Sequence, residues 1–382
     1  MTIDYDLAIV GAGPAGCACA LALSDKGLKI ALIDKDVFPR DKICGDAIPG
    51  PSFKSIDNIN KNWGSRLREF SEKVNISSSA VYFGGIKKIT HNWLSFSYNC
   101  KRIDFDNFLF ELVKSETNTT ILEKKKVKKI SDELTHINCV FHDTSSINVK
   151  MIVGCDGANS IVKRDLYTYD ANESYSFAAI RAYYKGIEGI KEGENEFHFF
   201  KELDSYFWIF PLKNGFANIG LGVEKNKKKK NDSTTNVRKI LEEIINSPYY
   251  IDRFKNAICI GGIKGFRLPI WTKTKPVSGN RFLLCGDAAS LIDPLFGHGI
   301  DKAIWSGRIA ANQIINCFKQ NNFSSAFMRQ YDELLNSKFK HELSRNRCLM
   351  KIGLRFPFLK KIVFWLFHDG KFTKWIIKKM KF

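Results

Sequence analysis

Apolar positions fall into two rhythms along the chain. YDLAIV near the amino terminus, KIALID from Lys29, MIVG from Met151 and RFLL from Arg281 are short, nearly continuous apolar runs, as expected of strands buried on both faces of a parallel sheet. CACALALSDKG, directly after the first run, reads as a helix whose small residues permit close packing on the strand. SYFWIFPLKNGFANIGLG, from Ser205, alternates instead. In an extended segment Tyr206, Trp208 and Phe210 share one face, and Phe207 and Ile209 share the other. SSAFMRQYDELLNSKFKHELSRN, from Ser324, has helical spacing. The predicted class is α/β, α+β overall: a Rossmann-like domain, an antiparallel-sheet domain and a helical carboxy-terminal region.

Composition narrows the setting. The chain has 382 residues, 44% of them hydrophobic, which suffices for two or three structural units around a sizeable core. Its ten cysteines form no CxxC pair and no cluster with histidine, so neither a disulfide framework nor a metal site is expected, and a reducing cytoplasm is. The amino terminus carries acids ahead of a strand rather than a secretory signal.

A formal charge of +19 favours anionic partners. Lys124–Lys126 and Lys227–Lys230 read as solvated strand ends or loops, and nucleic acid is not an expected partner. In residues 349–382 basic residues interleave with Phe, Trp, Leu and Ile, the composition of a helix lying on an anionic membrane surface or of a cap packed on the protein itself. Its longest uncharged piece, IVFWLFH, falls far short of the roughly 20 apolar residues a spanning helix needs. The expected location is the cytoplasm, with peripheral attachment to the inner membrane face if the tail binds lipid.

The chemistry begins at GAGPAG. Gly11 permits the tight turn, Gly13 lets backbone approach a pyrophosphate, and Gly16 lets helix and strand touch, so that phosphate charge meets the helix amino terminus. The second strand ends in Asp34, an acceptor for a ribose 2′-hydroxyl. Two distant blocks suit a flavin's far end. MIVGCDGANSIVKR ends a strand at Asp156 and Gly157 before a helix capped by Asn159 or Ser160. RFLLCGDAASLIDPLFGHGIDKAI ends one at Gly286 and Asp287 before a turn and a helix starting near Gly299. Asp287 can receive a ribityl or ribose hydroxyl. The backbone amides of Gly297 to Ile300 can stabilise negative charge on a reduced flavin.

With these blocks the chain resembles the FAD-dependent oxidoreductases of the para-hydroxybenzoate hydroxylase fold and, within them, the geranylgeranyl reductase family. FPRDKICGDAI (Phe38 to Ile48), RIDFDNFLF (Arg102 to Phe110), and YxWxFP followed after eight residues by GxG carry the resemblance. It implies a cofactor site of Gly11, Gly13, Ala15, Gly16, Asp34, Lys35, Arg40, Lys42, Cys44, Gly45, Arg102, Asp156, Gly157, Gly286, Asp287, Pro294, Gly297, His298, Gly299 and Ile300. It further implies a substrate cavity at Tyr206, Trp208, Phe210, Pro211, Gly220 and Gly222, with Cys44 as a catalytic or substrate-contacting thiol. Lys163 and His298 depart from the residues relatives commonly carry at those positions, an arginine and an acid.

The resemblance places a discontinuous FAD-binding domain at residues 1–75, 100–170 and 280–320, a substrate domain at 76–99 and 171–279, and a helical region with the basic tail at 321–382. The implied activity is reduction of carbon–carbon double bonds in a prenyl or related membrane lipid by bound FAD. No second dinucleotide fingerprint is visible in the sequence, so NAD(P)H as electron donor would visit transiently, with ferredoxin or a quinol-coupled donor as the alternatives. The rivals are a flavin monooxygenase and, with less support, a prenyl-binding protein of the same fold without redox chemistry.

Overall fold

A computed structural model describes residues 2–84, 86–167, 177–200, 206–224 and 237–355. The apolar runs form the predicted parallel sheet. Its strands lie in the order Thr120–Leu122, Ile30–Ile33, Tyr5–Val10, Ser146–Gly154, Phe282–Leu284, all parallel. The chain leaves the central strand toward one side and later returns on the other. This creates a crevice at the carboxyl ends of Tyr5–Val10 and Ser146–Gly154, where ligands bind in open sheets of this kind. The first half of Ser146–Gly154 also pairs antiparallel with Ile137–Phe141, which pairs with Val127–Asp132.

Helix Pro14–Ala22 is buried almost throughout, because small residues let it sit between the sheet and helix Ile300–Gln320. A Cβ on Gly307 would lie 2.1 Å from the Ala15 carbonyl oxygen, which fixes how closely those helices approach. Helix Ser325–Arg355 packs outside them through Met328, Tyr331, Leu335, Phe339 and Leu343, spaced three or four residues apart.

The second sheet is mixed and has eight strands, in the order Ile258–Leu268, Phe177–Lys185, Phe216–Glu224, Tyr206–Pro211, Glu194–Phe199, Lys73–Phe83, Ile86–Cys100, Ala47–Ile48. It takes in the two-residue strand Ala47–Ile48, which the sequence-based plan put in the FAD domain, and its next strand along the chain starts at Lys73. Phe207, Ile209, Ile219 and Leu221 form a separate core with Leu241 and Ile244 of helix Val237–Ile245. The opposite face of the Tyr206 strand looks back toward the parallel sheet. Most of the basic tail, from 356 onward, lies outside the described residues. No described helix is long and apolar enough to cross a membrane.

Candidate functional site

Gly11 has φ +100°, and a Cβ there would lie 2.4 Å from the Cys155 carbonyl oxygen, so the crevice closes down to backbone at this point. A Cβ on Gly16 would lie 1.9 Å from the Gly11 oxygen. Gly13 caps helix Pro14–Ala22 and contributes no side chain to its amino terminus, leaving that terminus for an anion. Asp34 is buried and accepts hydrogen bonds from Ala12 N at 2.8 Å and Asp36 N at 3.0 Å. The acid that ends the second strand thus also shapes the glycine loop. Lys35, beside it, is exposed.

At the crevice's far end, Gly286 has φ +56° and its amide donates to Ser306 Oγ at 2.9 Å. Asp287 accepts from Lys42 Nζ at 3.0 Å. Pro294 is buried, Gly297 has φ +72°, and Gly299 caps helix Ile300–Gln320 without a side-chain partner. Tyr206 Oη donates to the Phe296 carbonyl at 2.7 Å, tying the aromatic strand to this turn. His298, expected at the cofactor site, meets Asp301 at 3.0 Å. Asp293, His298 and Glu342 offer ligand atoms within 4.8 Å of one another. The buried Lys302 ammonium already brings a cation to this cluster, 3.1 Å from Glu342 and 3.3 Å from Asp301.

Three assignments take a different shape from the sequence reading. Asp156 caps the following turn: its Oδ2 accepts from Ile161 N at 2.6 Å and Val162 N at 3.3 Å, while Oδ1 is buried with no partner among the described residues. Gly157, at φ +80°, makes the turn, and of the two proposed caps it is Ser160 that accepts from Lys163 N. Arg102 turns inward, forking onto the buried Asp106 at 2.6 and 2.7 Å, with Arg40 on the same carboxylate at 2.9 Å. Gly222 is buried opposite Ala179, and Gly220 makes room for an aromatic ring. A Cβ on Gly220 would lie 2.1 Å from Trp208 Cζ2.

The Cys44 turn and the aromatic floor meet. A Cβ built on Gly45 would lie 3.5 Å from Phe210 Cε2 and 3.7 Å from Trp208 Nε1. Trp208, Phe210 and Pro211 are buried, with Trp208 and Phe210 ring centroids 6.0 Å apart. Trp208 Nε1 donates to Asn218 Oδ1 at 3.0 Å, and Asn218 Nδ2 donates at 2.8 Å both to the Cys44 carbonyl and to Asp46 Oδ2. Tyr183 Oη donates to the same Asp46 oxygen at 2.7 Å.

Asp46 is fully buried at φ +64°. Burial pushes its carboxyl up, against the Asn218 and Tyr183 donors, to about 6. Burial also raises the Cys44 thiol, an effect the neighbouring Arg102 guanidinium only partly opposes. Asp46, Asn218, Tyr183 and Asp106 were not picked out from the sequence. An Asp after Gly in a turn, a residue type that tolerates the left-handed region, was the one local signal available for any of them.

The fold matches known proteins. The FAD binding domain model covers residues 4–322. A menaquinone reductase of Mycobacterium tuberculosis is 27% identical over 81% of this chain and 77% of its own length. A digeranylgeranylglycerophospholipid reductase of Methanopyrus kandleri is 23% identical over 92% and 88%. Among solved structures, a geranylgeranyl bacteriochlorophyll reductase-like protein from Thermoplasma acidophilum superposes with a TM-score of 0.75 at 21% identity, covering 91% of this chain and 87% of that one. A halogenase in complex with FAD superposes at 0.78 with 15% identity over 96% and 78%, and these two carry the same fold.

Proposed function

The chain belongs to the FAD binding domain family, and from that premise we propose that it reduces carbon–carbon double bonds of a prenyl or related lipid. The observation that carries this reading is the contact of the Cys44–Gly45 turn with the Trp208–Phe210 face. It sets the Gly45 backbone against the buried Trp208 and Phe210 rings, in the same turn as the Cys44 thiol, whose pKa burial raises. The names of the two reductase relatives, one acting on a quinone and one on an isoprenoid phospholipid, support the same class of substrate.

The residues present fit FAD. The backbone cradle at Gly11, Gly13 and Gly16 suits a pyrophosphate, Asp34 a ribose, and the turn from Gly297 to Ile300 with Asp287 the distal ring and its chain. Reduced FAD, when bound, supplies a hydride. The protein supplies the rest. Tyr206, Trp208 and Phe210 offer apolar area to an isoprenoid chain, and their ring faces favour positive charge developing on an alkene carbon. Burial keeps the proton on Cys44 Sγ at neutral pH, and the Arg102 guanidinium stabilises the thiolate left once that proton moves to the second alkene carbon. Asn218 acts as a positioning residue by holding the Cys44 carbonyl, and Asp46 does so indirectly by accepting from the same Asn218 amide.

The test is anaerobic. Chemically reduced protein mixed with a geranylgeranylated lipid or a polyprenyl quinone should be reoxidised, and the product should gain two mass units per bond. Cys44→Ala and Trp208→Ala should each slow reoxidation by more than they weaken FAD binding. A product sixteen mass units heavier, formed only with oxygen, would replace this reading with the hydroxylase one.

A further inference from the structure

Behind the Asp156 turn, on the far side of the segment that carries Ser290 and Leu291, lies a cavity of about 710 Å³ that the redox reading does not use. Its walls are the helix start at Ser160–Arg164, the segment Arg267–Val277 and helix Ser325–Arg355. Six of its lining residues are basic and one is acidic. The acid, Asp332, is committed, since it accepts from Val277 N at 2.9 Å and Ser278 Oγ at 2.8 Å. Among the described residues, no carboxylate forms an ion pair with Lys163, Lys275 or Lys340. Lys163 Nζ has a hydroxyl, Ser290 Oγ at 3.3 Å, and the Tyr167 ring 5.8 Å away. Burial and then the Lys275 ammonium lower the Lys163 pKa, so the two lysines are half-buried like charges acting on each other.

Trp271 to Thr274 also line a more open groove that continues outward along the helix to Arg347 and Lys351. Lys340, Ser344, Arg347 and Lys351 recur at intervals of four, three and four, so one helical stripe presents positive charge along the whole trough. The volume is that of a small-molecule pocket. Trp271 and Phe339 give it an apolar wall, which inorganic phosphate alone would leave unused.

We propose that this trough is a second ligand site, binding the phosphate group of an organic phosphate with its apolar or ring portion against Trp271. Half-buried ammonium groups converging without a carboxylate suit an anion carrying more than one charge and several acceptor oxygens, which a phosphate provides and a single carboxylate does not. The ligand is either a soluble organic phosphate or the head group of an anionic phospholipid. The proposal is independent of the reaction proposed at Cys44.

The experiment uses the FAD-loaded full chain and two probes: pyrophosphate by calorimetric titration, and vesicles of phosphatidylglycerol against phosphatidylcholine by co-sedimentation. Pyrophosphate should bind and raise the melting temperature, and Lys163→Gln/Lys275→Gln should weaken it at least tenfold. The free variant should keep its flavin absorbance and melt no lower than the parent, because removing two like charges relieves repulsion. Lys275→Arg, which keeps the charge, should retain most of the binding. Phosphatidylglycerol binding abolished by the double substitution would identify a lipid head group, and pyrophosphate binding without vesicle binding a soluble phosphate. Failure of both probes to bind, or equal binding by parent and double variant, would overturn the site.

Discussion

Beneath the Cys44 turn, Arg40 and Arg102 share the buried Asp106, Lys42 meets Asp287, and Arg181 Nη2 donates to both Asp41 oxygens at 2.6 and 2.8 Å. In the trough behind Asp156, Lys163 and Lys275 act on each other with a hydroxyl for company. The residue types are the same and the electrostatic condition is opposite. Matched cations act as framework, each charge answered by a carboxylate already in place, and Arg102 in addition lies close enough to Cys44 to act on its thiol. Unmatched ones hold free energy that an incoming anion releases. Asp46 stands between the two cases. Its side chain is surrounded by donors, yet among the described residues no cationic group is hydrogen-bonded to it, and its carboxyl rises to about 6. For Asp106, burial pushes the carboxyl up but the Arg102 and Arg40 guanidinium groups outweigh it and hold the pKa below the usual carboxylate range.

The contrast can be broken at three points. Asp106→Asn leaves two guanidinium groups without their acid in the core and should cost about 3–5 kcal/mol in chemical denaturation; a loss under 1 kcal/mol would mean the cluster is not framework. Asp46→Asn addresses the intermediate case through pH. The folded carboxyl titrates near 6 and the unfolded one near 3.8, so between those values the folded state binds more protons. Its contribution is fully present below pH 4 and is lost as pH rises through 6, by about 3 kcal/mol. The parent should therefore lose stability relative to Asp46→Asn across that window, and parallel profiles would show that Asp46 does not titrate there. Arg68→Ala removes an arginine that forks onto Asp57 at 2.6 and 2.9 Å, much as Arg102 does onto Asp106, but on the surface. It should cost less than about 1 kcal/mol, and a larger loss would show that geometry rather than burial sets the worth of such a pair.

What could be read from the sequence was local. Gly11, Gly13 and Gly16 sit within one turn, so steric need and residue type coincide at neighbouring positions. The two faces of the Tyr206 strand follow from alternation alone, and the structure sends Phe207 and Ile209 into one core while Trp208 and Phe210 face the other way. The parallel sheet was legible because its strands are apolar on both sides. The Cys44 environment was not. Asp46, Arg102, Tyr183 and Asn218 come from four separate segments, and only the fold brings them together. Lys42 and Asp287, 245 positions apart, were each expected at the cofactor, and no pattern announced that they meet. The trough was hidden for the same reason. Lys163 was noticed only as a departure from relatives, because Lys275 and Lys340 become its neighbours only after the chain has closed.

Asn218 has a mechanical consequence. Its amide group grips Trp208 with its oxygen and the Cys44 carbonyl and Asp46 with its nitrogen, so one side chain of the second sheet clasps the loop that borders the crevice. The floor and the Cys44 loop therefore move as one body. On the proposed function, a long substrate would enter along the cleft between sheet and crevice, by threading rather than by the opening of a jaw. Amide hydrogens in the Cys44 turn should consequently exchange as slowly as those of the Trp208 strand itself, and Asn218→Ala should set them free while leaving the glycine loop at Gly11 as protected as before.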